Sequence, residues 1–258
     1  MRNSAHSRAH APAIGDRKET RTMGKRIAAV LCGCALLLAA GTASNATVMI
    51  SEIMYNPNSV ESIPVQTEWI EIYNYGTGLV DISEWYISDE DGVSSITIPA
   101  GTFISPGQAI VLYPAVITLA DFQAAWGTGF VAFPMDFESL FGLSNSPSPT
   151  NEILVLRDAS GNAVDTVNYD DAAPWPLDTP DGPSIYVLPG FLDPIANDNG
   201  ANWARSLVGV HGAYAVTRTA IFNGNDVGSP GVVVPEPGTL GALGIGLAGL
   251  MAALRRRA

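Results

Sequence analysis

The residue types that commonly carry enzymatic chemistry are sparse in this chain beyond its first 46 residues. His211 is the only histidine after that point, and no serine stands in a Gly-x-Ser-x-Gly turn. A serine nucleophile needs a nearby base, so the sequence argues against a serine hydrolase. Both cysteines, Cys32 and Cys34, lie in an apolar N-terminal run. One histidine without cysteine cannot provide the usual zinc ligands. Residues 47–234 contain no phosphate-binding glycine motif.

Acidic residues, in contrast, are abundant. Residues 47–234 contain 22 aspartates and glutamates, three arginines and no lysine, a formal net charge of −19. Because such a surface repels phosphate backbones, the composition argues against nucleic-acid binding. A pair of carboxylates could hydrolyse glycosides, but so many acids make chance pairs inevitable. Glu68 and Glu71, which lie in one predicted strand, are expected at the sheet surface.

Calcium is the metal that the acidic turns suit best. Residues 89–92 (Asp-Glu-Asp-Gly) and 197–200 (Asn-Asp-Asn-Gly) place hard oxygen ligands on turns. Neither turn has the glutamate that an EF-hand loop requires, and Asx-Gly turns are also common because these residues accept positive φ. Structural calcium on either turn, with Asp89 and Asp91 or with Asp198 as candidate ligands, therefore stands beside the alternative of solvated turns. No other cofactor is indicated.

Five tryptophans suggest a second kind of site, because flat indole rings stack on sugar faces. Trp69 and Trp85 lie in predicted strands and are expected in the core. Trp175, between Pro174 and Pro176, is expected to be the exposed one and the best candidate for carbohydrate binding. The alternative is that it closes one end of the domain, as loop tryptophans often do.

Short apolar runs interrupted by Gly, Pro, Asn and Asp predict the strands that must position these residues. Glu68–Asn74 has strand composition, and Val80–Ile87 is predicted to be its partner strand. Ile104–Tyr113 contains another strand. The clearest hairpin joins Ile153–Arg157 to Ala163–Tyr169 through a five-residue loop that contains glycine.

One helix is predicted among these strands. Thr118 could cap it, Leu119, Phe122 and Trp126 recur at helical spacing, and Gly127 could end it. Many short strands with turns between them are typical of an antiparallel β-sandwich. The pattern therefore predicts an all-β domain with one short helix.

The N-terminal residues have the pattern of a secretory signal peptide. Lys25 and Arg26 precede an apolar stretch at 27–40, and small and polar residues follow up to Ala46. These are the n-region, h-region and cleavage zone of such a peptide. The signal is predicted at 1–46 with cleavage after Ala46. Residues 1–22 are either an extended n-region or lie upstream of the true start, with Met23 as the initiator.

The C-terminal residues contain three parts in a fixed order. They are a Pro-Glu-Pro triplet, an apolar run at 240–254 and an arginine cluster, namely Pro235, Glu236, Pro237, Arg255, Arg256 and Arg257. This order resembles the PEP-CTERM sorting signal of Gram-negative bacteria. The resemblance implies that an integral-membrane exosortase removes the signal after export and releases the protein to the cell surface or matrix.

The length of the apolar run agrees with a transient anchor. Fifteen helical residues span about 22 Å, less than the ~30 Å hydrocarbon core of a bilayer. The terminal arginines favour a cytoplasmic C-terminus, which leaves the preceding residues outside the inner membrane. An ordinary tail anchor is the alternative interpretation.

The segment between the two signals resembles the lamin tail domain, a family with an immunoglobulin-like β-sandwich fold found in nuclear lamins and bacterial exported proteins. The most specific matching piece is Ser-Glu-Ile-Met-Tyr-Asn-Pro at 51–57, followed by the strand at 68–74 and the Gly-Asn-Ala-Val-Asp hairpin at 161–165. The resemblance covers 48–170, with a departure at 146–151. It implies a lamin tail domain with a C-terminal extension at 47–231 and a sorting signal at 232–258.

Together these patterns predict an exported, exosortase-sorted protein of the cell surface or extracellular matrix. The resemblance implies a non-enzymatic interaction module, whose partner is polysaccharide or another envelope protein. The alternative is a secreted, glycosidase-like hydrolase that uses a carboxylate pair. Contact with the inner membrane would be transient, through the C-terminal helix.

Overall fold

Strands make up most of the regular structure in the part of the chain that the computed structural model describes, residues 47–60, 66–89, 96–136, 142–143 and 152–234. The predicted signal peptide with Ala46, the candidate ligand Asp91 and the sorting residues from Pro235 onward lie outside these ranges. The strands are β1 (Val48–Met54), β2 (Trp69–Asn74), β3 (Val80–Asp81), β4 (Tyr86–Ser88), β5 (Phe103–Ile104), β6 (Ala109–Pro114), β7 (Val131–Met135), β8 (Glu152–Arg157), β9 (Ala163–Tyr169), β10 (Ile185–Val187), β11 (Trp203–Arg205), β12 (Tyr214–Ala215) and β13 (Val227–Gly228).

The largest sheet has six strands in the order β11-β10-β1-β2-β6-β7. Every neighbouring pair is antiparallel except β6 and β7. Parallel neighbours need a crossover connection, and the helix α1 (Leu119–Trp126) lies in the chain between these two strands. The predicted immunoglobulin-like, all-β fold is confirmed, with this one parallel pair in the larger sheet.

A second layer consists of the three-stranded sheet β4-β8-β9 and the short ladder β3-β5. The predicted β8–β9 hairpin is confirmed, and its loop is stabilised by Asp158, whose carboxylate accepts hydrogen bonds from the backbone N–H groups of Ser160 and Asn162. Such Asx turns form locally, which explains why the sequence alone predicted this hairpin.

The prediction that Val80–Ile87 forms one strand beside β2 is wrong. The segment divides into β3 and β4, which belong to different sheets, and neither of them pairs with β2. A turn separates them, in which Glu84 has φ of 61° and the Trp85 N–H donates to the Ile82 carbonyl. The backbone of a non-glycine residue seldom adopts positive φ, so an uninterrupted strand was the simpler sequence-based expectation.

The inner face of the six-stranded sheet forms the main core with the second layer. Ile72 has Ile50 opposite it on one side and Ile110 on the other, so that isoleucines form a row across three strands. These residues are fully buried and pack in one cluster with Leu154 and Val167 of the second layer. Burying one such side chain stabilises the fold by about 2 kcal/mol.

The helix begins and ends where the sequence predicts. The Thr118 side chain accepts a hydrogen bond from the Asp121 N–H at 3.1 Å, and Gly127 has φ of 88° at the C-terminal end. Phe122 and Trp126 pack in a second cluster against the outer face of the six-stranded sheet, where the Trp126 ring lies 5.5 Å from that of Trp69. The helix therefore covers one part of that outer face.

The chain after Tyr169 contributes both loops and strands. The segment 174–183 is a loop. Further on, β10 lies between β1 and β11 and is therefore an internal strand of the large sheet. Val216 and Phe222 join the second cluster, so this extension buries much of the outer face.

Candidate functional site

A β-bulge in β1 creates the most unusual polar feature of the domain. The pairing of β1 with β2 shifts register between Ile50 and Glu52, which leaves Ser51 as the extra residue. A bulge changes the alternation of side chains along a strand. Ser51 and Glu52 consequently both reach polar partners on the outer face, and Glu52 comes opposite Glu71 of β2.

Glu52 is almost completely buried, at 1 % exposure, and both of its carboxylate oxygens accept hydrogen bonds. Ser184 Oγ donates to Oε1 at 2.5 Å, and the Ser229 N–H donates to the same oxygen at 2.8 Å. The Ser229 hydroxyl donates to Oε2 at 2.6 Å. Charge-assisted hydrogen bonds of this kind are about twice as strong as neutral ones, so Glu52 holds two distant segments of the chain against β1.

Glu71 is fully buried and binds the same C-terminal segment. Its Oε1 accepts from Ser51 Oγ at 2.8 Å, and its Oε2 accepts from the Gly231 N–H at 2.6 Å. We call Glu52 and Glu71, together with the segment 228–231 that they bind, the glutamate clamp. The clamp holds the chain where it leaves the folded domain.

Burial changes the acidity of both clamp glutamates. Burial raises the pKa of Glu52, although the hydrogen bonds from Ser184 and Ser229 oppose this effect. Burial, and next the negative charge of Glu52, raise the pKa of Glu71 well above its ordinary value. Two neighbouring buried carboxylates rarely ionise together, so this pair retains a proton at a pH at which exposed glutamates have lost theirs.

The cavity beside the two clamp glutamates is small. A cavity of about 10 Å³ lies between Glu52, Glu71, Tyr186 and His211. Such a volume holds about one water molecule, whereas ligand pockets measure about 300 Å³ or more. The geometry of this pair suits a structural role better than glycoside hydrolysis, which needs room for a sugar and a water molecule.

A further buried acid binds β1 from the other layer. Asp165 of β9 accepts a hydrogen bond from the Ile50 N–H at 2.7 Å and another from Asn197 Nδ2 at 2.8 Å. Asn197 Nδ2 also donates to the Ile50 carbonyl at 3.2 Å. The two side chains thus give both backbone groups of Ile50, next to the bulge, a hydrogen-bond partner. Burial raises the pKa of Asp165 to about 6.

The structure describes two of the three candidate calcium ligands. Asp89 is buried and Asp198 is exposed at the end of a short 3-10 turn, Ala196–Asp198, whereas Asp91 lies outside the described ranges. Within those ranges no three His, Cys, Asp or Glu side chains form a group that could hold a metal ion. Asn199, in the same turn as Asp198, uses its side chain to accept from the Ala201 N–H. The calcium site stays a prediction.

The structure contradicts two other sequence-based expectations. Glu68 and Glu71 were expected at the surface, which is wrong, because both are buried. Trp175 was expected to be exposed, which is also wrong, because its ring lies 5.5 Å from that of Trp203 and covers Gly200. His211 is partly exposed, and its Nδ1 lies 2.8 Å from the Tyr186 hydroxyl.

Sequence reasoning did not identify the glutamate clamp. Glu52 and Glu71 stand in otherwise apolar strands, which was the available signal. Their partners are far away in the chain, because Ser229 is 177 residues from Glu52 and Gly231 is 160 residues from Glu71. A local pattern cannot indicate which distant backbone will cover an acidic residue.

Two family models match the chain and confirm the resemblances. The model of the lamin tail domain matches residues 41–171, just over half of the sequence. The chain belongs to the lamin tail domain family. The model of the PEP-CTERM protein-sorting motif matches residues 233–257. This motif indicates export, processing by an exosortase, and a location at the cell surface or outside the cell.

No curated protein matches the chain. The family match ends at Asp171, so most partners of the clamp, from Ser184 to Gly231, lie beyond it. Among the described helices, none is long and apolar enough to cross a membrane. The apolar run at 240–254, which is the predicted sorting helix, falls in the part that the structure does not describe.

Proposed function

We propose that this protein is exported, processed by an exosortase, and displayed at the cell surface or in the extracellular matrix as a non-catalytic binding module. The partner would be a polysaccharide or another envelope protein. The observation that carries the proposal is the position of the sorting motif. It begins at residue 233, only two residues after the clamped Gly231 of the lamin tail domain.

The buried chemistry of the domain supports a role without catalysis. All four carboxylate oxygens of Glu52 and Glu71 accept hydrogen bonds from the protein itself. A general acid or nucleophile must reach a substrate, and the adjacent cavity has room for about one water molecule. These carboxylates are therefore better suited to hold the C-terminal segment than to react.

The N-terminal pattern and the charge of the domain support export. Residues 1–46 would direct secretion and be removed after Ala46, so that residues 47–231 form the exported domain. A net charge of −19 over residues 47–234 favours solubility outside the cell. The arginines at 255–257 would keep the C-terminus on the cytoplasmic side until the tail is cut.

Intact-mass analysis, which shows where the processed chain begins and ends, tests the proposal. Surface protein from the native host should begin near Thr47 and end between Val234 and Pro237. In a host without exosortase the chain should keep its arginines and stay in the membrane. Replacing Pro235, Glu236 and Pro237 by alanine should cause the same retention in the native host, whereas Thr239→Ser should be processed normally. Surface protein that still carries Arg255–Arg257 would contradict exosortase processing.

The non-catalytic role needs a separate test. The purified protein should bind a glycan or an envelope protein and should hydrolyse no generic glycoside or ester in a manner that depends on the clamp. His211→Ala and Glu71→Gln variants that fold normally are the relevant comparisons, because these residues line the cavity. A hydrolytic activity that either substitution abolishes would show that the protein is an enzyme.

A further inference from the structure

Exposed aliphatic side chains gather where the folded domain ends. The turn after β11 presents Leu207 and Val208, which are 61 % and 64 % exposed, and also Val210. Val232 and Val234 are exposed in the last three described residues of the chain. We call these five residues, Leu207, Val208, Val210, Val232 and Val234, the apolar rim.

The two parts of the rim are in contact. Val232 lies directly over Gly212, where an added Cβ would be 2.6 Å from Val232 Cγ1. His211 and Val234 line the same small cavity. The 207–212 turn and the exit segment therefore meet at Gly212 and Val232, although about twenty residues separate them in the sequence.

Backbone hydrogen bonds hold both parts of the rim in position. In the turn, the Val210 N–H donates to the Leu207 carbonyl at 2.9 Å, and the Gly209 N–H donates to the Ala213 carbonyl at 2.8 Å. In the exit segment, the Val232 N–H donates to the Ser229 carbonyl at 2.9 Å, and Gly231 is bound to Glu71. Fixed apolar side chains in water are unfavourable without a partner, and such patches commonly mark interaction sites.

The segments that form the rim carry little negative charge of their own. Between Asp198 and Val234 the only acidic residue is Asp226. Asp226 is buried and accepts hydrogen bonds from the N–H groups of Asn58 and Ser59. The rim segments therefore add no exposed carboxylate that an anionic lipid surface would repel.

The place where the chain leaves the domain indicates that the partner of the apolar rim is a membrane. Six residue steps separate Val234 from the apolar run that begins at residue 240, a reach of about 20 Å when fully extended. A domain tethered by that run stays within this distance of the membrane, which raises the effective concentration of the rim at the lipid surface. A freely diffusing partner has no such advantage.

We propose that the apolar rim rests on the membrane that holds the sorting tail, so that the unprocessed domain has a fixed orientation on the lipid surface. This inference rests on the proposed function, because it requires the tail to be held in a membrane. Aliphatic side chains enter the interfacial region of the bilayer, while the clamp keeps the exit segment folded against the domain. Processing then removes the tether, and the rim alone does not retain the protein.

Environment-sensitive fluorophores can test this contact in the full chain. With Cys32→Ser and Cys34→Ser as background, Val208→Cys carries the label at the rim. Phe103→Cys is the matched control, because Phe103 is similarly exposed but lies on β5 in the other layer of the sandwich. The labelled chains are reconstituted through their tails into vesicles of phosphatidylethanolamine and phosphatidylglycerol that contain nitroxide-labelled lipid.

The label at position 208 should shift its emission to the blue and be quenched by the nitroxide lipid about twofold more than the label at position 103. Equal quenching at both positions would overturn the apolar rim as a membrane contact. Disulfide cross-linking between unlabelled Val208→Cys chains, together with no lipid quenching of the labelled chain, would show self-association and would also overturn it. If the full chain does not float with the vesicles, tethering itself fails, and the proposed function fails with it.

Discussion

The two faces of the six-stranded sheet are buried by different kinds of interaction. On the inner face, Ile50, Ile72 and Ile110 pack against the second layer without any directional requirement. On the outer face, Glu52 and Glu71 are covered by a segment that hydrogen-bonds to them through Ser229 and Gly231. Hydrophobic packing tolerates changes of shape if volume is kept, whereas a buried carboxylate requires its particular donors.

This difference indicates what each face contributes to the fold. The inner face lies within the family match and defines the sandwich. The outer clamp uses residues beyond that match and determines where the chain leaves the domain. We expect substitutions on the inner face to change mainly global stability, and substitutions in the clamp to change also the position of the exit segment.

The largest expected effect comes from removing one carboxylate of the clamp. Glu52→Ala would leave the Ser229 N–H, the Ser229 hydroxyl and the Ser184 hydroxyl without their acceptor. Each buried donor without a partner costs about 1–3 kcal/mol, so the free energy of unfolding should fall by about 3–5 kcal/mol. Urea unfolding of the purified chain measures this loss.

Two variants provide the comparison for that measurement. Glu52→Gln keeps an acceptor oxygen and should cost about 1 kcal/mol. Ile72→Val, on the inner face, removes one buried methyl group and should also cost about 1 kcal/mol. The proposed distinction between the faces is wrong if Glu52→Ala costs no more than Ile72→Val.

The second effect is a dependence of stability on pH with an unusual sign. Burial raises the pKa values of Glu52, Glu71 and Asp165. A carboxyl group with a raised pKa binds its proton more tightly in the folded state, so its stabilising contribution is complete below the unfolded pKa and is lost as the pH rises. For Asp165 this window extends from the ordinary value of 3.8 to about 6.

The chain should therefore be more stable near pH 4.5 than near pH 7.5. Asp165 alone should account for about 2 kcal/mol of that difference. Asp165→Asn should reduce the dependence, because an amide oxygen can still accept from the Ile50 N–H and from Asn197. Urea unfolding at several pH values measures this effect.

Asp158 provides a control, because its contribution to the pH dependence of stability has the opposite sign. Hydrogen bonds from Asn162 lower the pKa of Asp158, so the stability that Asp158 contributes is present above its unfolded pKa and lost as the pH falls. The interpretation of Asp165 is contradicted if Asp165→Asn leaves the slope between pH 4.5 and pH 7.5 unchanged.

Local interactions explain which parts of the structure could be predicted from the sequence. The helix was predicted because Thr118 and Gly127 cap it within one segment. The β8–β9 hairpin was predicted because Asp158 organises its own loop. The signals at the two ends are compact motifs, and the C-terminal one is confirmed by its family model.

Contacts between distant segments explain the errors. Alternation along β2 correctly places Glu71 on the face opposite Ile70 and Ile72, but it cannot show that residues 228–231 will cover that face. Trp175 appears exposed in a proline-rich loop until Trp203 and Gly200 are brought against it. Predicting the clamp would have required knowledge of both the bulge at Ser51 and the fold of the C-terminal extension. Neither feature is visible as a local pattern in the sequence.

The smallest of the three expected effects is the loss of stability when strain is introduced at Gly231 in the clamp. Gly101, which lies outside the clamp, provides the comparison. Gly231 has φ of 80°, and an added Cβ would overlap the Cβ of Phe130. Gly231→Ala should cost about 2 kcal/mol, because positive φ is unfavourable for alanine and the segment must also move away from Phe130. Gly101→Ala has a similar φ of 79° with open space around it, so it should cost about 1 kcal/mol.

The two glycine variants should differ mainly in which residues lose protection from hydrogen exchange. In Gly231→Ala the exit segment should open locally, because its N–H can no longer reach Glu71 in the same position. Hydrogen exchange should then be faster at 228–231, while the inner strands β1 and β2 keep their protection. Gly101→Ala should leave exchange at 228–231 unchanged. If both variants loosen the whole domain equally, the clamp is not a separate unit, and the two faces of the sheet unfold together.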